Sequence, residues 1–388
     1  MRETLRSGRS LLAFTAAAAL ALSLSACSKP AEKAADAGPA MITEIGAGEG
    51  ALNVVAWEGY AEDEWIKPFE KDTGCVVNRK YAGSSDEMVA LMRQGGEYDL
   101  VSASGDASLR LIRGGSVQPV NTDLIPDFAN FIPELQSPGH NTIDGKHYGV
   151  SYMWGPNVLM WDTRAIKTAP TSWAAIYDAK YKGKVTVPDN PIQIADAALY
   201  LSKAKPELGI TDPYELTQAQ MDAVVALLKT QRPLIKKYWA LASDEISLFS
   251  SRDASIGAAW PYQVNALQDA KVPVDSSIPS EGATGWADTW MLSATTKHPN
   301  CAYKFMAWVS TPVVQAQQAA FFGATPVNKN ACAEMDKTAK GSCAKYHADA
   351  TSDYFSKIHF WKTPEATCGA GTCLDYAAWQ TAWQSVKQ

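Results

Sequence analysis

The chain has 388 residues, too long for one small module and short for more than about three domains. Hydrophobic residues make up 46 % and charged residues 20 %, enough apolar material for a substantial core, which excludes a disordered chain. The 35 Lys and Arg against 41 Asp and Glu leave a net charge of −6 with no basic stripe, so nucleic acid is excluded as a general partner.

Residues 1–26 have the three parts of an export signal. Arg2, Arg6 and Arg9 give a positive start, Leu11 to Leu24 an apolar stretch, and small residues follow. The run Leu24-Ser25-Ala26-Cys27 resembles a bacterial lipobox, in which the Cys is lipidated and becomes residue one. Several acyl chains on Cys27 would hold a soluble domain stably at a membrane. The membrane is then a partner by lipid anchor only, and the expected location is the periplasm or the outer face of the cell membrane. Residues 28–50, rich in Ala, Gly, Pro and charge, read as a tether continuing from Cys27. Gly46, Gly48 and Gly50 precede a strand instead of following one, so they do not make a dinucleotide fingerprint.

The body alternates strand and helix. Leu52 to Trp57 reads as a short buried strand, and Ala61 to Thr73 as a helix with Trp65, Ile66 and Phe69 inward and Gly74 as its stop. Strand at Cys75-Val76-Val77, helix from Asp86 to Arg93 and strand at Tyr98 to Val101 follow. Tyr148 to Trp161 is a long aromatic stretch, broken at Gly155-Pro156, that could cross from one lobe to another. A helix from near Ser172, a strand from Lys184 to Val187 and a helix from Ile194 to Lys203 come next. Thr217 and Gln220 form a capping-box pattern before a helix from Met221 to Lys229. A strand at Ala254 to Ala258 and a helix from Pro261 to Asp269 complete a second α/β set, and Gly282 to Ser293 returns through an aromatic crossing. The alternation predicts largely parallel sheets, and two crossings predict a ligand cleft between two lobes.

No run of about 18 apolar residues occurs in this body, so it does not read as a polytopic membrane protein. Beyond Cys27, six Cys remain: Cys75, Cys301, Cys332, Cys343, Cys368 and Cys373. An even number in an oxidising compartment suggests up to three disulfides. Short loops favour Cys332–Cys343 and Cys368–Cys373, leaving Cys75–Cys301 as a long-range tie. The rival is a metal site around Cys332, Cys343 and His347, which no Cys-x-x-Cys pair supports.

From Leu52 to about Ala331 the chain resembles the bacterial extracellular solute-binding proteins of ABC importers, the polyamine group above all. The resemblance rests on Val54 to Tyr60 (VVAWEGY), Phe69 to Gly74 (FEKDTG), Tyr98 to Val101 (YDLV), and Tyr152 to Gly155 (YMWG). It continues in Gly257 to Trp260 (GAAW), Ser277 to Ala283 (SIPSEGA) and Thr325 to Asn328 (TPVN). The last sixty residues match less well. The resemblance implies a two-lobed α/β periplasmic-binding-protein fold, type II-like, with its ligand cleft between the lobes. Residues 51–155 plus 285–325 would form the first lobe, and 156–284 plus 326–388 the second with a C-terminal helical segment. It implies a monomer that captures a small cationic amine such as putrescine or spermidine and delivers it to the membrane subunits of a permease, with neither cofactor nor metal.

Carried over position by position, Trp57, Tyr60, Trp260 and Trp286 fall on the family's aromatic walls and Asp288 on the carboxylate that grips an ammonium. Ser104 falls on a hydroxyl of the first lobe, Asp189 on the edge of the second lobe's acidic motif, and Trp154 at the crossing. An alkylammonium over an aromatic face gains about 0.5–2 kcal/mol per contact, and a carboxylate adds charge-assisted hydrogen bonds. Two departures stand out. Asn190-Pro191-Ile192-Gln193 carries no acid where polyamine binders place one, and Gln263 stands where putrescine binders tend to have Asp. Two expected anionic contacts, at Gln193 and Gln263, have become amides. A single-amine solute, such as a γ-amino acid or a choline-like compound, is therefore the alternative ligand. A receptor lipoprotein with no transport role is the alternative use.

Most of the thirteen Trp read as core, and Asp106, Ser84 and Ser85 as turn or cap residues. An enzyme finds little support. The five His are scattered without His-Glu-x-x-His, and neither a Gly-x-Ser-x-Gly elbow nor a P-loop occurs. Two distant carboxylates in an aromatic cleft, as in a glycosidase, are the best catalytic alternative.

Overall fold

The computed structural model describes residues 41–350, 352–369 and 371–388. The expected export signal, Cys27 and most of the tether lie outside the described residues.

Strand β1 (Ala51–Ala56) is followed by α1 (Asp63–Thr73), β2 (Val76–Tyr81), α2 (Ser85–Gln94), β3 (Leu100–Ala103), α3 (Gly105–Arg113) and β4 (Val117–Gln118). The helix boundaries follow local chemistry. Trp65, Ile66 and Phe69 give α1 its buried face, and Gly74, at φ 70°, ends it by donating its N–H to the Glu70 carbonyl. Ser84 caps α2 by accepting from the Glu87 N–H at 3.1 Å.

The chain continues through β5 (Val150–Pro156) and β6 (Val158–Asp162), broken at Asn157 instead of at Gly155-Pro156. The helix expected near Ser172 is a 3-10 turn, Trp173–Tyr177, capped by the Ser172 hydroxyl. Then come β7 (Val185–Pro188), α4 (Gln193–Ala204), α5 (Gln218–Gln231), β8 (Ile235–Trp239), α6 (Ala242–Ser250), β9 (Ile256–Ala259), α7 (Pro261–Asp269) and β10 (Val274–Ser277). The Thr217/Gln220 capping box opens α5 as the pattern predicts. The last part comprises β11 (Ala283–Ser293), α8 (Pro299–Val309), α9 (Pro312–Phe322), β12 (Thr325–Pro326), α10 (Ala331–Thr338), β13 (Ile358–Phe360) and α11 (Tyr376–Lys387).

Two sheets result. The first has eight strands, ordered β12-β5-β11-β3-β1-β2, with β4 and β13 also paired to β11. The second has five, ordered β8-β7-β9-β6-β10. Neither is largely parallel. β11 runs antiparallel to β3, β4 and β5, and β6 antiparallel to β9 and β10. Those strands border the two crossings, and a chain that leaves one sheet and returns brings its strand back in the opposite sense. All eleven residues of β11 are buried, which makes it the spine of the first sheet.

The crossings are tied to each other. The Asn157 N–H donates to the Thr284 carbonyl and its side-chain amide to the Thr284 hydroxyl, both at 2.8 Å. Disulfides join Cys75 to Cys301, Cys332 to Cys343 and Cys368 to Cys373, the pairing the loop lengths favour. The first closes 226 residues of chain and cross-links the start of β2, at Cys75, to α8. In the chain-entropy account such a loop stabilises by up to about 5 kcal/mol. Among the described residues no helix is long and apolar enough to cross a membrane.

Candidate functional site

The ends of several strands converge on one small box. Trp57 follows β1, Ser104 follows β3, Trp260 follows β9 and Trp361 follows β13, so four lining residues sit at the carboxyl ends of strands. Side chains in such sheets meet a ligand most readily at those ends, where the loops leave a crevice. Trp286 and Asp288 lie two apart on β11 and therefore share one face of the sheet. Tyr60 comes from the turn after β1, and Phe322 from the last turn of α9.

The aromatic side chains lean on each other at edge angles. Trp57 meets Trp260 with ring centroids 6.1 Å apart, Trp286 meets Phe322 at 5.7 Å, and Tyr60 meets Phe322 at 5.0 Å. Gly155 makes room for Trp286, since a Cβ there would stand 2.8 Å from the indole Cζ2. The space between these side chains is about 10 Å³, room for about one water molecule.

Asp288 is the charged group of the box, and it is 3 % exposed. The Tyr60 hydroxyl donates to one oxygen at 2.6 Å, and the Ser104 hydroxyl donates to the other. Burial pushes the carboxyl up to about 7, and the nearby Asp106 adds to the rise, while the two hydroxyl donors pull the other way. Burial and Asp288 hold the Tyr60 phenol far above its ordinary range, so it remains a donor. Asp106, a turn or cap residue by its sequence, lies in the first turn of α3 and is fully buried. Ser85 donates to one of its oxygens at 2.8 Å, its other oxygen has no partner, and burial pushes it up to about 6. Among the described residues no Lys, Arg or His forms an ion pair with Asp288. A buried carboxylate without a cation, ringed by aromatic faces, has the chemistry to pair with one.

Comparison with known proteins places the chain in a family. Residues 64–344 match the family described as bacterial extracellular solute-binding protein. The chain belongs to that family. Among curated relatives of this solute-binding protein is the putrescine/cadaverine-binding protein of Pseudomonas aeruginosa. It is 25 % identical over 278 residues, covering 66 % of this chain and 73 % of the relative. The spermidine/putrescine-binding periplasmic protein of Escherichia coli is 24 % identical over 270 residues, covering 69 % and 74 %. Among solved structures, the spermidine/putrescine substrate-binding protein PotD of Streptococcus pneumoniae superposes with a TM-score of 0.67 at 18 % identity, over 87 % of this chain and 99 % of that one. The Atu4243-GABA receptor superposes with a TM-score of 0.62 at 22 % identity, over 78 % and 90 %. These likenesses establish the periplasmic-binding-protein fold.

Of the ten residues singled out in the sequence of this solute-binding protein, Trp57, Tyr60, Ser104, Trp260, Trp286 and Asp288 meet in the box. Four do not. Trp154 pairs with Ala287, so it lies on the face of the sheet opposite Trp286 and Asp288, where its ring stacks on Phe355 at 4.5 Å. Asp189 accepts from the Trp383 indole N–H at 3.0 Å and from the Lys387 ammonium at 2.8 Å, both on α11. Gln193 donates to Asp196, whose carboxyl also accepts from Asn157 and Thr284 at the crossings. Gln263 accepts from the Trp260 backbone N–H at 3.2 Å in the first turn of α7, so it positions Trp260 without lining the box.

Phe322 and Trp361 were not singled out. Trp361 lies in the last sixty residues, where the resemblance thins, and reaches the box because β13 pairs with β11. The Gly105 Cα packs against its backbone, where a Cβ would come within 1.8 Å of the Trp361 carbonyl oxygen. Its indole N–H donates to Thr284 at 3.4 Å, linking the box wall to a crossing.

Proposed function

We propose that this protein is the substrate-binding component of an ABC importer, capturing a small cationic amine of the putrescine or spermidine kind and delivering it to a membrane permease. The observation that carries this reading is Asp288, a buried carboxyl without an internal cation, gripped by two hydroxyls and walled by Trp57, Trp260, Trp286 and Trp361. The ammonium would sit on Asp288 with its methylenes along the indoles, gaining cation–π attraction and charge-assisted hydrogen bonds together. The polyamine binders among its relatives support the same ligand class.

The lobes would be residues 51–155 with 285–325 and residues 156–284 with 326–388. With about 10 Å³ in the box, the amine enters only when the lobes part. It then favours the closed state by touching both lobes, since Trp57, Ser104 and Asp288 come from the first sheet's side and Trp260 from the second's. Nothing in this arrangement requires bond making, and the reading is one of binding without catalysis. Export by residues 1–26, lipidation at Cys27 and a tether to residue 50 would hold one copy of the body at the outer face of a membrane.

A second reading has one observation in its favour. The indole N–H groups of Trp57, Trp260 and Trp286 are buried without an acceptor, and an ammonium offers none. A solute with an amine at one end and a carboxylate at the other, such as a γ-amino acid, would supply it. Calorimetric titration with putrescine, spermidine, γ-aminobutyrate, choline and a neutral sugar separates the readings. Micromolar or tighter binding of a polyamine is expected; binding of γ-aminobutyrate alone would move the substrate, and silence across all five would remove the amine reading.

A further inference from the structure

At the crossing from β5 to β6 lies a cavity of about 240 Å³. It shares no lining residue with the box, and its walls come mainly from α7, β10, the end of β5 and the segment 345–354. Its electrostatics run against those of the whole chain. The protein carries 41 acids against 35 Lys and Arg, yet no Asp or Glu lines this cavity, whereas Lys345 and His347 do. The nearest acids along the chain, Asp275 and Asp349, are exposed and stand outside the lining. The Lys345 ammonium rests 4.9 Å above the Tyr346 ring, an aromatic face and not a carboxylate. Two donors in the walls are buried without an acceptor, the side-chain N–H of Asn265 on α7 and the hydroxyl of Tyr354. The His347 ring stacks on Tyr354 with centroids 4.2 Å apart, and Ser276 of β10 adds a hydroxyl.

The segment that presents Lys345 and His347 is held at three points. The Cys332–Cys343 disulfide closes it onto α10, the Cys343 N–H donates to Asp336 at 3.0 Å, and the Thr325 hydroxyl donates to the Tyr346 carbonyl at 2.7 Å. The disulfide also consumes the thiolates that a metal beside His347 would need. We infer that this cavity is a second binding site, separate from the box, for a small molecule bearing one oxyanion, a carboxylate or a phosphate. Lys345 supplies the charge, and Asn265, Tyr354 and His347 supply neutral donors around it. Burial holds the His347 ring below its ordinary range, so at neutral pH it offers one N–H without a second charge. One cation among neutral donors suits one anionic group, and the rest of the volume holds the molecule that carries it. The cavity backs onto the box, since Pro261 follows Trp260, Gly323 follows Phe322, and Gly155 packs against the Trp286 indole. The inference goes beyond the amine reading and does not depend on it, because none of the donors named belongs to the box.

The test titrates succinate, inorganic phosphate and, as a neutral control, glycerol into the full chain by calorimetry. Three variants accompany the wild type: Lys345→Gln, Tyr354→Phe and the charge-matched control Lys229→Gln on α5. Lys345 and Lys229 are both exposed, so neither change disturbs the packed interior. At least one of the two anions should bind at a single site with a millimolar or tighter dissociation constant, and which of them binds separates a carboxylate from a phosphate ligand. Lys345→Gln should weaken that binding by about tenfold or more and Tyr354→Phe by about fivefold, while Lys229→Gln stays within about twofold of the wild type. Lys345→Gln should leave putrescine affinity unchanged. Silence from both anions would overturn the site, as would an equal loss in Lys345→Gln and Lys229→Gln, which would mean that only net charge is felt. Competition between putrescine and the anion would overturn its separateness from the box. If the wild type binds no putrescine, the amine reading falls and the anion titrations still decide this site.

Discussion

Two carboxylates in this molecule sit beside tryptophans, and their fates differ. Asp189 follows β7 and finds its cation inside the chain: Lys387 lies 2.8 Å away, and Trp383 donates to the same oxygen. Asp288 lies on β11 and finds only hydroxyls, so burial drives its carboxyl up to about 7. Asp189 is a solved electrostatic problem at a partly exposed corner, whereas Asp288 is an unsolved one in a buried box. The comparison teaches that an acid next to an indole is left able to take an outside cation only where the fold withholds its own.

The largest expected effect comes from breaking the unsolved partner. Asp288→Asn removes the charge and keeps the shape, and putrescine affinity should fall by about a hundredfold or more, the usual result of unpairing a buried charge. Calorimetry reads this directly, and an unchanged dissociation constant would take Asp288 out of the site.

Next in size is the dependence on pH. In the ligand-free fold Asp288 is mostly protonated below 7 and must lose that proton to pair with an ammonium. Affinity should rise by close to tenfold per unit between about pH 5 and 6.5 and level off above about 8. Stability runs the other way. The folded pKa is raised above the ordinary 3.8, so the contribution of Asp288 is fully present below about pH 4 and is lost as pH rises through 7. Asp106 and Asp196, each pushed up to about 6, act with the same sign. The melting temperature of the ligand-free protein should therefore fall from pH 5 to pH 8, with putrescine offsetting the fall most strongly at the upper end. A melting temperature that rises over this range would mean these carboxyls are not held protonated.

Trp361→Leu should weaken amine binding by about fivefold, the loss of one aromatic face. Trp154→Phe, on the opposite face of the same sheet, should leave affinity unchanged. Smallest of all, Asp189→Asn should alter putrescine affinity by less than about threefold, because its partner is Lys387 and not the ligand. A large loss at Asp189 with little loss at Asp288 would invert the comparison.

These contrasts also measure what could be read from the sequence. The helices α1 and α5 announce themselves through a buried stripe, a Gly stop or a capping box, all of which are local. Six box residues were legible only through the family resemblance, position by position; the strand-like segments before Trp57, Ser104 and Trp260 are local signals that fit it. Strand direction was not legible, since period-two patterning is the same whichever way a neighbour runs, and the antiparallel β11 was missed for that reason. Trp361 and Phe322 reach the box only through pairings of β13 and packing of α9 that leave no mark in local composition. Lys387 and Asp189 are 198 residues apart, and nothing near either names the other. The amides Gln193 and Gln263 looked like lost ligand contacts, yet they serve Asp196 and the Trp260 backbone.

The central claim is that Asp288 is a proton-bearing carboxyl awaiting an ammonium, and proton release tests it most directly. Putrescine would be titrated into the wild type and Asp288→Asn at pH 6.5 by calorimetry in two buffers of different ionisation enthalpy. The account predicts that well over half a proton leaves per amine bound by the wild type, and that this release disappears in Asp288→Asn. Tight binding with no proton released would contradict it, because the ammonium would then be held by some group other than Asp288.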